Sequence, residues 1–237
     1  MNESDEFYAK SLYPFQDGIL NIFRELKLPF YLTGGTPLSR IYFKHRYSDD
    51  LDLFVNNDGS FGEYCTSIYQ KLNDSQNQLN FIIDRQRLKL SNNFMQIFIS
   101  KDDFELKIDL VNDVAPHYGE FITDRVLGKI DSLRNILSNK FSALYRFEPK
   151  DVADIWIICK NYKCNFKEII AEAKNKEAGV DPISIFEILS TFPTDKLNLI
   201  KWIRKPDPLQ FKNDLSIIAD DIFNARENST FPKVQNS

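Results

Sequence analysis

A chain of 237 residues, 43% hydrophobic and 27% charged, is long enough to bury a core and has the balance of a soluble globular protein, with room for one large domain or two small ones. A net charge of −4 excludes a strongly basic nucleic-acid coat protein, though not a local basic groove. No apolar run is long enough to span a bilayer.

The first residues, Met1-Asn2-Glu3-Ser4-Asp5-Glu6, are polar and acidic, unlike a secretory leader. Cys65, Cys159 and Cys164 show neither metal nor redox spacing. With an odd count, that predicts reduced thiols in a cytoplasmic protein.

Residues 6–26 have helical period, with Phe15, Ile19, Ile22 and Phe23 on one face. Phe30-Tyr31-Leu32 reads as a short strand running into a Gly34-Gly35 turn. Thr36-Pro37 is a helix start, with Thr as cap and Pro in the first position, and that helix runs to about Lys44. Leu51, Leu53 and Val55 alternate with Asp50 and Asp52, as in a strand. A helix is predicted over 60–73, with strands over 79–84 and 94–99. Phe104, Leu106, Ile108 and Leu110 alternate with Glu105, Lys107 and Asp109, a clear period of two.

Near residue 125 the texture changes, and nearly everything after it has helical period. A helix over 130–146 carries the stripe Ile130, Leu133, Leu137, Phe141 and Leu144. Further helices are predicted over 150–162, 166–178, 182–191, 195–204 and 208–226, with Asp181-Pro182 a cap-plus-Pro start. The last ten residues are polar and expected to fray. The reading is an α+β protein: an α/β domain over 1–125, then a helical domain over 126–237, the boundary falling within 115–129.

Asp50-Leu51-Asp52 sets two carboxylates on one face of a strand whose other face is apolar. Like charges this close repel unless a cation lies between them. Hard divalent ions with oxygen ligands suit such a pair, Mg²⁺ foremost. Asp109 occupies the polar face of a second strand. If the two strands are neighbours, three carboxylates converge, enough to hold two ions that clamp the attacking and leaving oxygens of phosphoryl transfer. The alternative is an ordinary polar strand face, although Asp is poor in strands. Asp49 falls on the apolar side and reads as a strand-start residue.

Gly34 and Gly35 allow a phosphate to approach the backbone at a helix start, and the Thr36 hydroxyl offers a further contact. The plainer reading is a tight turn with a cap. Arg46 offers a bidentate fork for phosphate or, alternatively, a salt bridge to Asp49. His45 has no metal-ligand companion and reads as structural.

The run Leu32-Thr33-Gly34-Gly35-Thr36-Pro37-Leu38, continued by His45-Arg46-Tyr47-Ser48-Asp49-Asp50-Leu51-Asp52-Leu53-Phe54, closely resembles the AbiEii/AbiGii toxin family. This is a branch of the polymerase-β-like nucleotidyltransferases. A second stretch, Lys140-Phe141-Ser142-Ala143-Leu144, then Arg146, then Pro149-Lys150-Asp151-Val152-Ala153-Asp154, resembles the family's downstream motif. The sequence departs at Pro37, where Ala is frequent, and at Phe43-Lys44 and Phe147, where glycine is frequent. The resemblance covers residues 28–162 and is silent on 165–237.

It implies a polymerase-β-like core with a mixed sheet flanked by helices. It makes Asp50, Asp52 and Asp109 the metal ligands and catalytic carboxylates, with Asp109 also the base or orienter for the attacking hydroxyl. Gly34, Gly35, Thr36, Arg46 and Ser48 become the nucleotide-binding residues, and Lys140 with Asp151 a downstream functional pair. Lys140 flanks its helix's apolar stripe and reads alternatively as a snorkelling lysine. Asp151 and Asp154, three apart on one face, also suit a helix's first turn.

The implied reaction moves a nucleoside monophosphate from an NTP to a hydroxyl, with two Mg²⁺ ions (Mn²⁺ as substitute). The acceptor would be RNA such as a tRNA end, and the setting a toxin–antitoxin or phage-defence pair with a cognate antitoxin. Arg125, Lys129, Arg134, Lys140, Arg146 and Lys150 suggest a basic groove for triphosphate or RNA, or else a solvated helix face. The alternatives are a small-molecule nucleotidyltransferase of the antibiotic-modifying kind and a non-catalytic NTP-binding or docking module.

Overall fold

The computed structural model describes residues 3–232 and divides them into two compact units. The first holds the chain up to Arg40, then Tyr47–Pro116 and Glu120–Asp131. The second holds Ile41–Arg46, His117–Gly119 and the chain from Ser132 onward.

The first unit is built on an eight-stranded mixed sheet: β1 (Tyr31–Thr33), β2 (Leu51–Asn56), β3 (Ile82–Ile83), β4 (Lys89–Leu90), β5 (Phe94–Lys101), β6 (Phe104–Asp113), β7 (Ile122–Asp124) and β8 (Gly128–Ile130). The spatial order is β3-β5-β6-β2-β1-β8-β7, with β4 added to β5. In β2 and β6 burial alternates as the sequence alternates: Leu51, Leu53, Val55, Leu106, Ile108 and Leu110 are buried. Burying each such side chain is worth about 1.5–3 kcal/mol.

Helix α1 (Glu3–Phe7), a π turn over Tyr8–Leu12 and helix α2 (Tyr13–Leu26) form the predicted N-terminal helical run. The edge-to-face pairs Phe15–Phe104 and Phe15–Phe81 bring α2 onto the strands, and Phe30–Phe61 joins β1's lead-in to α4 (Phe61–Leu79). Helix α4 outruns the predicted 60–73 and ends at Asn80, a left-handed cap.

Three predictions fail here for local reasons. Thr36 is not a cap: helix α3 is a single turn, Gly35–Pro37, and continues as a π turn over Leu38–Tyr42. Ile130 does not open a helix, because the β7–β8 hairpin, turned at left-handed Gly128, claims residues 122–130. Strands β4, β7 and β8 are two or three residues long, too short to show a period.

The second unit is helical: α5 (Leu133–Ala143), α6 (Pro149–Asn161), α7 (Phe166–Lys176), α8 (Pro182–Ser190) and α9 (Pro208–Phe223). Ser132 caps α5 by accepting from the Asn135 N–H, and Asp181 caps α8 by accepting from Ile183 and Ser184, as its Asp-Pro start predicts. The predicted helix over 195–204 is only a 3₁₀ turn, Thr194–Leu199. Beyond it the N–H groups of Ile203 and Arg204 donate to the His45 carbonyl, so they are unavailable to a helix.

Fraying fails for residues 228–230: Asn228 is buried, and its Nδ2 donates to the Cys159 and Tyr162 carbonyls. Residues 233–237 lie outside the described part. All three cysteines are buried and unbridged.

Two of the three family departures share one conformation. Lys44 (φ 51°) and Phe147 (φ 56°) are both left-handed, where glycine alone escapes the Cβ penalty. Lys44 is exposed, so Lys44→Gly is expected to raise stability by roughly 0.5–1 kcal/mol in chemical denaturation, while Lys44→Ala gives no such gain. Equal stability of the Gly and Ala variants would refute this strain.

Candidate active site

In the first unit, β2 runs parallel to β6 in a register that sets Asp52 beside Asp109. On its other side β2 pairs with β1, Thr33 opposite Asp52. Asp50 lies one residue before β2. The sheet therefore pairs two of the predicted carboxylates, with the third just ahead of β2, and it adds two residues that the sequence reading passed over. Lys107 places Nζ 3.2 Å from Asp50 Oδ2 and 3.0 Å from Asp109 Oδ2. Gln96 Nε2, across from Asp109 on β5, donates to Asp109 Oδ1 at 2.9 Å. Lys107 was visible as the polar-face residue two before Asp109, but only the register shows that it also reaches Asp50. Burial pulls the Lys107 pKa down, but the charge of Asp50, the hydrogen bond and charge of Asp109, and the charge of Asp52 outweigh it, and the pKa is raised.

Among the described residues, no three His, Cys, Asp or Glu side chains are gathered closely enough to form a ready-made metal site. The donor set is nonetheless all oxygen, and a cation already sits between two of the carboxylates. Both observations fit a hard divalent ion that takes the place of the ammonium.

Gly34 has φ 72° and ψ −143°, a conformation open essentially to glycine alone. A Cβ built on it would lie 2.3 Å from Asp52 Oδ2. The close approach that the glycine permits is thus to the Asp52 carboxylate. Gly35 and Thr36 are buried in α3. The Thr36 hydroxyl donates to the Asp50 carbonyl at 2.5 Å and lies within hydrogen-bond distance, 3.1 Å, of Ser48 Oγ. These two hydroxyls brace the chain entering β2. Asp49, which receives the Tyr8 hydroxyl at 2.5 Å, is braced as well.

The second unit holds a separate buried cluster around Asp154, which is 0% exposed. Arg46 grips its carboxylate with two bonds, Nε to Oδ1 and Nη2 to Oδ2, both 2.7 Å. His45 Nε2 lies 2.9 Å from Oδ1, and Lys140 Nζ 2.6 Å from Oδ2. Lys140 also donates to Asp151 at 2.7 Å, and Arg146 contacts Asp151 at 3.1 Å. Burial opposes the charge on Asp154, but Arg46, Lys140 and His45 hold its pKa well below the usual carboxylate range. Burial likewise opposes the Lys140 charge, and Asp151 and Asp154 prevail, raising it. For His45 burial wins over Asp154 and lowers the pKa. The neutral ring then donates through Nε2, and its buried Nδ1 has no hydrogen-bond partner among the described residues.

This cluster corrects several expectations. Arg46, expected as a phosphate fork or a partner for Asp49, gives its planar fork to Asp154 in a buried site. Lys140 is a buried ion-pair member rather than a snorkelling lysine, and Asp151 is buried with it. Asp154, which read as a mere helix-start acid, is the hub. Its sequence signals were its position three residues after Asp151 and its place at the end of the downstream motif. Of the basic stretch, Arg134 pairs with Glu168 and Glu172, Lys140 with Asp151 and Asp154, and Arg146 with Asp151. Lys129 stands over the Phe121 ring, 3.8 Å from its centre.

An Asp-x-Asp strand beside a third Asp on its parallel neighbour, closed at its edge by a glycine turn, on a mixed sheet flanked by helices, is the architecture of the polymerase-β-like nucleotidyltransferases. The model of one family, described as the nucleotidyl transferase AbiEii toxin of a type IV toxin–antitoxin system, matches residues 19–228, and the chain belongs to it. Two solved structures share the fold. JHP933 from Helicobacter pylori has a TM-score of 0.62 at 18% identity, over 94% of each chain. A candidate nucleotidyltransferase from H. pylori has a TM-score of 0.62 at 17% identity, over 94% of this chain and 96% of that one. No curated protein matches the chain.

Proposed function

We propose that this protein moves a nucleoside monophosphate from an NTP to an acceptor hydroxyl and releases pyrophosphate. The observation that carries the reading is the parallel register of Asp52 with Asp109, with Asp50 at the same edge. Asp50, Asp52 and Asp109 would hold Mg²⁺, two ions in the fullest form, with Mn²⁺ as a substitute. Bound there, the metal supplies neutralisation of triphosphate charge. Asp109 then orients the attacking hydroxyl or accepts its proton. The backbone at Gly34 and Gly35 offers the closest approach for phosphate oxygens. Lys140 and Asp151 form the downstream pair, Lys140 keeping its charge through the partners already described. Catalysis of this kind is mostly positioning and electrostatics.

The family's toxin–antitoxin setting makes an RNA, such as a tRNA end, the first acceptor to test, and an antitoxin the first protein partner, in the cytoplasm. No helix among the described residues is long and apolar enough to cross a membrane. The ion pairing of Arg134, Lys140 and Arg146 weakens the basic stretch as an argument for RNA. A small-molecule acceptor is therefore the second reading.

The experiment incubates the protein with labelled NTPs, Mg²⁺ and either total RNA or a panel of cationic hydroxylated small molecules, and follows label transfer and pyrophosphate. Transfer is expected, and Asp52→Ala should lower it by about 10³-fold, as removal of a principal electrostatic group does. Growth arrest on expression, relieved by Asp50→Ala, would tie the chemistry to toxicity. Absence of transfer to any acceptor, with Asp52→Ala binding NTP as well as the unaltered protein, would mean a non-catalytic NTP-binding module instead.

A further inference from the structure

We propose that Lys107 is a resident counter-ion that competes with divalent metal for Asp50 and Asp109, so that metal enters this site by displacing its ammonium. The proposal rests on the reading of these carboxylates as metal ligands.

Lys107 and Asp109 lie two apart on β6, so their side chains share a face, and that face also carries the Asp52 side of β2. The Lys107 ammonium spans the gap between strands, within hydrogen-bond reach of Asp50 and Asp109 together. Its neighbour on the other side, Glu105, is paired with Arg87, which leaves the ammonium directed toward the aspartates. Gln96 holds the second oxygen of Asp109, so the oxygen facing Lys107 is the one left for a metal.

A carboxylate lone pair cannot serve an ammonium and a divalent ion at once, and two cations about 3 Å apart repel strongly. One must leave. The lysine stem is flexible and its side chain is 27% exposed, so the ammonium can swing toward solvent. The device neutralises clustered carboxylates while no metal is bound, at the cost of weaker metal affinity.

The test measures free Mn²⁺ by electron paramagnetic resonance during titration of the full chain. Lys107→Gln shortens the side chain by one atom and removes the charge. It is expected to bind Mn²⁺ about tenfold more tightly than the unaltered protein, a difference of ~1.4 kcal/mol. Lys107→Arg keeps the charge and grips carboxylates through a planar fork, and is expected to bind about threefold or more weakly. Asp52→Ala should abolish the binding and so locate the ion.

If Mn²⁺ binds and Asp52→Ala abolishes it, but the folded Lys107→Gln protein binds no tighter, the competition is refuted while the metal site stands. If Lys107→Gln does not fold, unchanged affinity in Lys107→Arg refutes it equally. If neither the unaltered protein nor Lys107→Gln binds Mn²⁺ at millimolar concentration, both this proposal and the metal-ligand reading fail.

Discussion

Asp154→Ala is expected to cost about 3–5 kcal/mol of stability, the loss typical of breaking a buried ion pair by removing one partner. That is a large part of what a domain of this size commands. The carboxylate is fully buried and receives Arg46 through two bonds, Lys140 through one and His45 through one. In the intact cluster two buried cations, Arg46 and Lys140, face two buried carboxylates, Asp151 and Asp154. Truncating Asp154 leaves an excess of buried positive charge, and no water replaces it without opening the helices.

The pH dependence has a definite sign. The folded Asp154 pKa is depressed below its ordinary 3.8, so its contribution is present above that value and is lost as pH falls through the folded pKa. The folded Lys140 pKa is raised above its ordinary 10.5, so its contribution is present below that value and is lost as pH rises through the folded pKa. The deficit of Asp154→Ala should therefore be flat from about pH 7 to 9, with His45, which loses the Asp154 contact, adding a pH dependence of its own below its ordinary 6.5. Urea unfolding followed by circular dichroism reads it directly. A loss under about 1 kcal/mol, the range of a surface pair, would show that the cluster contributes little.

Gly34→Ala is expected to lower nucleotidyl transfer by about 10²-fold or more, the scale of a reacting group misplaced by an ångström. A Cβ there meets Asp52 Oδ2 at 2.3 Å, so the carboxylate must rotate out of its position beside Asp109. The backbone compounds the clash, since φ 72° with ψ −143° costs a residue bearing a side chain about 1–3 kcal/mol. Gly62→Ala is the control: nothing lies within 4 Å of its added methyl, and on helix α4 the change should be stabilising by about 1 kcal/mol. If Gly34→Ala transfers label as fast as the unaltered protein, the glycine turn has no part in placing Asp52.

How far the sequence reveals this site depends on the range of each interaction. Alternation along β2 and β6 is a local pattern, and it put Asp52 and Asp109 on polar strand faces correctly, while Asp50 falls just ahead of β2. The pairing of β2 with β6 is not local, and only it shows that Lys107 reaches Asp50. Arg46 and Asp154 stand 108 residues apart, and nothing near Arg46 distinguishes that partner from the adjacent Asp49. The short strands β4, β7 and β8 carry too few residues to show a period, which is why Ile130 read as helix. The glycine turn was legible as a place of close approach, but the approaching group was not. Family resemblance singled out Lys140 and Asp151, whereas only their ion pair shows how a lysine and an aspartate are accommodated inside a helical unit.

The path of the chain between the two units has a practical consequence. Ile41–Arg46 leaves the sheet unit, joins the helical one and returns, and His117–Gly119 makes the same excursion before the chain crosses for good after Asp131. Neither unit is therefore a continuous stretch of polypeptide. A fragment begun at Ser132 would carry Asp154 without the His45 and Arg46 that ligate it, and one ended at Asp131 would carry those two side chains with no carboxylate to receive them. Dissection by truncation is bound to yield two incomplete halves, and only their co-expression can restore the Arg46–Asp154 pair.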